Sequence, residues 1–208
     1  MELNLFEFDQ LEIILENLPP FHRIAFSAAI SERMFPIYEV FSQEESWGNP
    51  KILRDSLDEV WQILCGKEVE EKRILQLIEQ CNEQVLHSEE ITESRFDLES
   101  HLAVGGICVT LESFLEPTTK NALRVASFIS DMIFAFLDSK QEDIDPNWTK
   151  ISFEDQEQYI INHQFARQEL QKQEEDLKIL QESKNLNQEI IELLRISSTN
   201  RSPISLSK

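Results

Sequence analysis

The sequence predicts an all-α protein, a single-domain bundle of about seven to eight helices with a buried central helical hairpin. The 208 residues include only four glycines and seven prolines, so few positions would interrupt a helix. Leu, Ile, Glu and Gln are abundant, and apolar residues recur at helical spacing along most of the chain. A composition of 41% hydrophobic and 28% charged residues is typical of a globular domain. We therefore predict one domain over residues 1–196 and a flexible Ser-rich tail over residues 197–208.

Two helical segments are predicted in the first part of the chain. Asp9 is a candidate N-cap residue, and Glu12 three positions later fits a capping box for a short helix that ends before Pro19. A second apolar pattern starts after the proline pair and continues to Phe41, with Pro36 inside it. Because proline lacks the N–H that a helix interior needs, we expect this helix to kink or restart near Pro36.

The third segment carries signals at both ends. Asn49 and Pro50 fit an N-cap residue and a first helical position, and Gly66 fits a left-handed residue at the C-terminal end. A fourth helical pattern continues to Val85. The acidic, polar residues 88–94 that follow it are interpreted as a loop.

The central hairpin is predicted from two apolar segments. Residues 98–115 are apolar nearly all round and include Gly105 and Gly106, which predicts a buried helix that another backbone approaches closely. Pro117 ends this helix, and Thr118 or Thr119 caps the next, whose apolar stripe continues to residue 137. The two helices should pair in antiparallel orientation.

The C-terminal third is predicted to be helical after one long loop. Residues 139–150 are polar and contain Pro146, which favours a loop. Ser152 can cap a long helical stretch that breaks near residues 183–185. Polar residues such as Gln173 at its heptad positions favour a helix docked on the domain over a coiled coil.

The net charge of −20 limits the classes of partner. It disfavours nucleic acid and anionic membrane surfaces, and it would steer a basic protein partner, although it also fits a plain acidic surface. The N-terminus is too acidic for a signal peptide, and the apolar windows at 102–111 and 125–130 are shorter than a membrane span of about 20 residues. We expect a cytoplasmic protein.

The sequence predicts no cofactor and no metal site. None of the four glycines opens a phosphate-binding loop, and no histidine follows an acidic residue by three positions, as a di-iron helix would require. His101 and Cys108 are separated by about 10 Å of helix rise, too far to share one zinc ion. The spacing of Cys65, Cys81 and Cys108 favours reduced core thiols over disulfides.

Glu32 and Arg33 are the strongest candidates for a site. Glu32 lies in helical register with apolar residues on the face that should be buried, so its carboxylate must be paired or protonated. Successive helical residues point about 100° apart, so Arg33 cannot pair with it and each charge needs a partner from another helix. Pro36 also leaves the carbonyl of Glu32 without its usual helical donor.

Two interpretations of this site remain open. In the first, the charges form a buried ion-pair network that joins helices, with Tyr38 and Trp61 packed nearby. In the second, Glu32, Arg33, Tyr38 and Trp61 line a small polar pocket for a ligand.

The same residues carry a family resemblance. The chain resembles the YjaG-like family of bacterial proteins, the domain of unknown function DUF 416, and its most specific block is the run from Glu32 to Pro36. The resemblance implies a compact, single-domain, all-α cytoplasmic bacterial protein with no assigned activity and no assigned catalytic residues. The matching positions are His22, Phe26, Glu32–Pro36, Tyr38, Phe41, Leu57, Asp58, Trp61, Leu64, Phe96–Leu98, Cys108, Leu111, Leu194 and Arg195.

From these observations we predict a non-enzymatic, acidic helical interaction or regulatory module. Its partner would be a basic protein, which it could antagonise, and it could dimerise through its C-terminal helices. The alternative is a small-molecule-binding protein or an enzyme whose pocket lies at Glu32, Arg33, Tyr38 and Trp61.

Overall fold

The protein is all-α, as predicted. A computed structural model describes residues 3–85, 94–199 and 201–206, and in these residues it contains nine α-helices and one short 3₁₀ turn, at Trp148–Lys150. The count is one more than predicted because the C-terminal stretch divides into three helices. The helices are α1 (Asp9–Glu16), α2 (Pro20–Glu45), α3 (Pro50–Leu64), α4 (Glu71–Asn82), α5 (Asp97–Leu115), α6 (Thr119–Ile144), α7 (Phe153–Asn162), α8 (Gln164–Glu182) and α9 (Gln188–Ser198).

Helices α5 and α6 form the predicted buried central hairpin. Helix α5 packs against α2, α3, α4 and α6, and its side chains Val104, Ile107 and Leu111 are buried. Near the turn that joins the two helices, Arg124 Nη1 of α6 lies 3.4 Å from Glu112 Oε2 of α5. The end of one helix therefore lies beside the start of the next, and the pair is antiparallel.

Helix α5 has the length and apolar composition of a membrane-spanning helix. Among the residues that the structure describes, it is the one helix long and apolar enough to cross a bilayer. However, 61% of its most apolar 18-residue segment is buried inside the bundle, as in the core helix of a globular protein.

The two glycines of α5 face side chains, which corrects the prediction of a close backbone. A Cβ at Gly106 would lie 2.8 Å from Met34 Cε, and a Cβ at Gly105 would lie 3.2 Å from Phe128 Cε2. The missing side chains therefore make room for a methionine of α2 and a phenylalanine of α6.

Helix α2 continues through Pro36 and does not restart there. Proline removes one interior hydrogen bond and the stability that this bond would contribute. The residues from Ile24 to Phe35 are all buried, and the stability gained from their packing outweighs that loss. The helix presents charged side chains at Glu32 and Arg33 to different neighbours.

Most of the predicted helix ends are confirmed. The side chains of Asn49, Thr118 and Ser152 cap α3, α6 and α7, and Gly66 follows α3 with a φ of +105°. Asp9 was predicted wrongly, because it is the first residue of α1 and makes no side-chain cap.

The predicted long loop at residues 139–150 is mostly helical. Helix α6 continues to Ile144, because Lys140, Gln141 and Glu142 are good helix formers. Pro146 then disfavours helical geometry at Asp145, which is extended.

The C-terminal third differs from the prediction in two places. The break near residues 183–185 is confirmed, but a second break occurs at His163, whose imidazole caps α8. Helix α9 ends at Ser198, two residues beyond the predicted domain boundary at residue 196, and the apolar side chains of Pro203 and Ile204 are buried. The predicted loop at 88–94 lies outside the described residues except for Ser94.

Candidate functional site

Glu32 is paired within the protein by three other residues. Arg54 of α3 donates from Nη1 to Oε1 at 2.6 Å and from Nη2 to Oε2 at 2.9 Å. Trp61 Nε1, two turns further along the same face of α3, donates to Oε2 at 2.8 Å, and Thr199 Oγ1 lies 3.3 Å from Oε1. Oε2 therefore accepts two hydrogen bonds, whereas Thr199 Oγ1 beside Oε1 also lies 2.9 Å from the Arg195 carbonyl oxygen and has one proton for the two acceptors.

Arg54 extends this network toward the surface. Its Nε donates to Asp58 Oδ1 at 3.0 Å, and Asp58 also accepts a hydrogen bond from Arg195 of α9. Burial alone would lower the pKa of Arg54, but the hydrogen bond and charge of Glu32, together with Asp58, raise it above its ordinary value. We call Glu32, Arg54, Asp58, Trp61 and Arg195 the Glu32 network, which joins α2, α3 and α9.

Arg33 points to a different neighbour, helix α8. Its Nε donates to Glu169 Oε2 at 2.9 Å and its Nη2 to Glu169 Oε1 at 2.7 Å, a bidentate pair. Its Nη1 donates to Asp176 Oδ2 at 3.0 Å and lies 3.1 Å from Ser198 Oγ and 3.1 Å from the Ala29 carbonyl oxygen. Burial lowers the pKa of Arg33, but the charges and hydrogen bonds of the two carboxylates more than offset this and raise it.

Helix α8 supplies a further layer of polar contacts around Arg33. Lys172 donates to the second oxygen of Asp176, and Gln173 Nε2 donates to Glu169 Oε1 at 3.0 Å. All four side chains are buried and lie on one face of α8, at helical spacing. We call Arg33, Glu169, Lys172, Gln173 and Asp176 the Arg33 network.

Tyr38 belongs to neither network. Its hydroxyl lies 3.3 Å from the carbonyl oxygen of Gln84, and it fills the space above Gly48, where a Cβ would be 2.2 Å away. Burial raises the pKa of Tyr38 to about 12, so it is a neutral phenol at physiological pH. The structure therefore brings Glu32 and Trp61 together and leaves Arg33 and Tyr38 at separate places.

One cleft opens beside the Arg33 network. It has a volume of about 430 Å³ and lies between α8 and residues 201–203. Its lining includes Arg33, Glu169 and Lys172 together with the exposed Arg201 and with Pro203. A smaller cavity of about 190 Å³ lies between α3 and α9, where Trp61 and Arg195 contribute to its wall.

The three thiols are free, but they do not share one environment. Cys65 is exposed, which corrects its assignment to the core, whereas Cys81 and Cys108 are buried. Cys81 Sγ donates to Ser56 Oγ at 3.2 Å. The hydrogen bond that the Cys108 thiol donates to Cys81, together with burial, raises the pKa of Cys108, which makes Cys108 a poor nucleophile.

Several network residues were missed at the sequence level. Arg54 and Asp58 have the spacing of an ordinary surface pair on one helix turn, and Arg195 lies far along the chain. Glu169, Lys172 and Asp176 do carry a signal, because charges at positions i, i+3 and i+7 share one helix face. Nothing local shows that this face is the buried one.

The fold and its networks define a class of protein: a helical bundle with two buried charge networks whose charges are paired with each other. In the described ranges, no group of three or more His, Cys, Asp or Glu side chains is placed to hold a metal ion. The chain belongs to the DUF416 family, described as a protein of unknown function, whose model matches residues 10–205. The resemblance seen in the sequence is therefore confirmed.

Two relatives and one solved structure illustrate the family. Over 58 residues, or 28% of the chain, it is 34% identical to the "Uncharacterized protein YjaG" of Escherichia coli strain K12 and 33% identical to that of Salmonella typhimurium strain LT2. This stretch spans 30% of the length of those relatives. The crystal structure of a DUF416 family protein from Shewanella baltica OS155 covers 95% of this chain and 98% of its own, with a TM-score of 0.83 at 20% identity, and so shows the same fold.

Proposed function

We propose that this protein is a non-enzymatic helical module that binds, and can antagonise, a basic protein partner in the bacterial cytoplasm. The observation that carries the proposal is the contrast between its interior and its surface. The interior charges of the two networks are paired with each other, whereas the surface keeps a large excess of carboxylates.

The closed state of the networks argues against catalysis at these residues. A catalytic acid or base must be able to reach a substrate, but the Glu32 carboxylate is 2% exposed and holds Arg54 and Trp61 at hydrogen-bond distance. A reaction at Glu32 would first have to break a bidentate ion pair. These contacts support a structural role for the Glu32 network.

The surface of α1 shows the charge that a partner would meet. Residues 3–22 contain no Lys or Arg, and Asp9, Glu12 and Glu16 lie on the exposed face of α1. None of these three carboxylates forms an ion pair with another described residue. Unpaired charge of one sign steers an oppositely charged protein and speeds its association, and salt screens this effect.

Capture from lysate at two salt concentrations tests the proposal. The immobilised protein is mixed with lysate of a bacterium that encodes it, at low salt and at about 1 M salt, where the Debye length falls to about 3 Å. We expect a basic partner that is retained at low salt and lost at high salt.

Two triple variants test whether the surface of α1 is involved. A variant with Asp9, Glu12 and Glu16 changed to Gln or Asn should retain less of the partner. A variant with Glu68, Glu70 and Glu71 changed to Gln is the matched control for net charge. If no partner is retained at either salt concentration, the proposal fails.

A second candidate function is favoured by the cleft beside Arg33. Lys172 and the exposed Arg201 both line the cleft, and Lys172 donates one hydrogen bond to Asp176. This supports small-molecule binding at the Arg33 part of the predicted pocket. A thermal-shift screen of metabolites tests it: a ligand should raise the melting temperature of the parent protein and not that of Arg201→Ala. If no metabolite raises the melting temperature, this candidate fails.

A further inference from the structure

Three phenylalanines from separate parts of the chain form a continuous aromatic surface. The ring of Phe134 on α6 lies 5.9 Å from that of Phe6, in an edge-to-face arrangement, and 5.6 Å from that of Phe153, measured between centroids. Phe6 and Phe134 are half-buried, whereas Phe153 is 61% exposed. We call these three residues the phenylalanine ridge.

The fold holds the ridge in place. Phe134 is on the central hairpin, and Phe153 is the first residue of α7, where the side-chain cap of Ser152 fixes the start of the helix. Phe6 belongs to the segment that leads into α1, which packs on α6. The exposed ring of Phe153 therefore sits on a rigid base, and a partner would not have to order it.

Carboxylates lie around the ridge. Glu7 follows Phe6, Glu154 follows Phe153, and Asp131 lies three residues before Phe134 on the same face of α6. All three are exposed, and none forms an ion pair or a side-chain hydrogen bond with another described residue. Neighbouring groups partly desolvate the Asp131 carboxylate and raise its pKa.

We propose that the phenylalanine ridge is the docking surface for a basic amphipathic helix of the partner. This inference rests on the proposed function and names the surface and the chemistry that it would recognise. The apolar face of such a helix would cover Phe153, and its Lys or Arg side chains would reach Glu7, Asp131 and Glu154. A second copy of this chain would place like charges opposite each other, and an anionic lipid surface would also be repelled.

A titration with a designed peptide tests this proposal. The probe is a labelled helix of about five turns with lysines on one face and leucines on the other, followed by fluorescence anisotropy. One control peptide has the same composition in scrambled order, and another contains lysine without leucine. We expect the amphipathic peptide to bind the parent protein at least about tenfold more tightly than either control, because it alone can cover the ridge while pairing with the carboxylates.

Two protein variants locate the binding surface. Phe153→Ser should weaken binding of the amphipathic peptide at least about tenfold, and Glu154→Lys should weaken it and reduce its dependence on salt. The matched control is Ile144→Ser, which removes an even more exposed apolar side chain, at 75% exposure, from the end of α6. The control should bind within about twofold of the parent protein.

The outcomes separate the two proposals. If the parent protein and Phe153→Ser bind the amphipathic peptide equally, the ridge is not the docking surface. The proposed function still stands in that case, provided that salt-dependent binding of basic partners persists. Loss of binding in Ile144→Ser as well as in Phe153→Ser also overturns the ridge proposal, because the effect would not be specific to the ridge. If neither the lysine peptides nor any lysate protein binds at low salt, both proposals fail together.

Discussion

Arg33 and its carboxylate partners depend on each other for stability, because each neutralises a charge that is buried in the interior. Its side chain is 2% exposed and compensates two carboxylates that are also buried, Glu169 and Asp176. A buried ion pair adds little stability over an apolar replacement, but removal of one partner leaves an uncompensated charge in the interior. The effect of a substitution here therefore depends on which charges remain.

We predict that Arg33→Met lowers the free energy of unfolding by about 3 to 5 kcal/mol, because Glu169 and Asp176 lose their guanidinium. Urea unfolding monitored by circular dichroism measures the change. Arg124→Met is the control, because Arg124 pairs with Glu112 at the surface, and it should cost less than about 1 kcal/mol. Equal losses in the two variants would contradict a structural role for the Arg33 network.

A second residue-scale prediction concerns Glu99, which is buried near the start of α5. Burial, with a smaller contribution from the charge of Asp97, raises the pKa of Glu99 to about 7, against 4.5 for an exposed glutamate. Between these pH values the folded protein holds a proton that the unfolded chain has lost. Stability from this group is therefore fully present below about pH 4.5 and is lost as the pH rises to about 7.

We expect Glu99→Gln to raise the free energy of unfolding by about 3 kcal/mol at pH 8, because glutamine stays neutral, and by less than about 1 kcal/mol at pH 5. Urea unfolding at both pH values checks this. The control Glu79→Gln, at an exposed position of α4, should change little at either pH. A gain of the same size at pH 5 and pH 8 would rule out titration of Glu99 as the cause.

At the scale of elements, the break between α7 and α8 is set by one side chain. The backbone of His163 is extended, and its Nδ1 accepts a hydrogen bond from the backbone N–H of Phe165 at 3.2 Å. The chain here contains no glycine or proline, so the helix stops because an imidazole caps the next one.

His163→Ala should therefore lower the free energy of unfolding by about 1 kcal/mol, whereas His163→Asp should preserve it, because a carboxylate is a good N-cap. Thermal and urea unfolding measure both changes. Gln164→Ala, one position along and exposed, serves as the control and should have no measurable effect. Similar losses in the alanine and aspartate variants would mean that the cap does not stabilise α8.

Features with local causes were predictable, and features with distant causes were not. Asn49 and Ser152 cap helices through backbone N–H groups two and three residues away, so the sequence nearby is sufficient. The pairing of Glu32 with Arg54 spans 22 residues, and that of Arg33 with Glu169 spans 136. The sequence established that these charges need partners on other helices, but the choice among many candidates depends on how the helices pack.

At the scale of the whole molecule, the net charge of −20 opposes self-association, so a dimer would have to be held together by exposed apolar side chains. Helix α9 exposes Leu193, at 52%, and Ile196, at 67%, three residues apart on one face. These side chains support the proposed homodimer through the C-terminal helices. Repulsion between two acidic copies opposes it and weakens as salt increases.

Size-exclusion chromatography with light scattering tests the dimer. We expect a dimer fraction that increases with protein concentration and with salt, and that disappears in Leu193→Glu/Ile196→Glu. The control Ile144→Glu introduces charge at another exposed position and should leave the dimer fraction unchanged. A monomer at every accessible concentration would remove the dimer proposal.

The contacts of Arg33 with α8 and with Ser198 also constrain the order in which the protein can form during synthesis. The ribosome makes α2 early, whereas Glu169, Asp176 and Ser198 are among the last residues of the domain to appear. Until they emerge from the exit tunnel, the guanidinium of Arg33 cannot be buried without a counter-charge. Translation must therefore run almost to the C-terminal end of the domain before α2 can take its final place in the core.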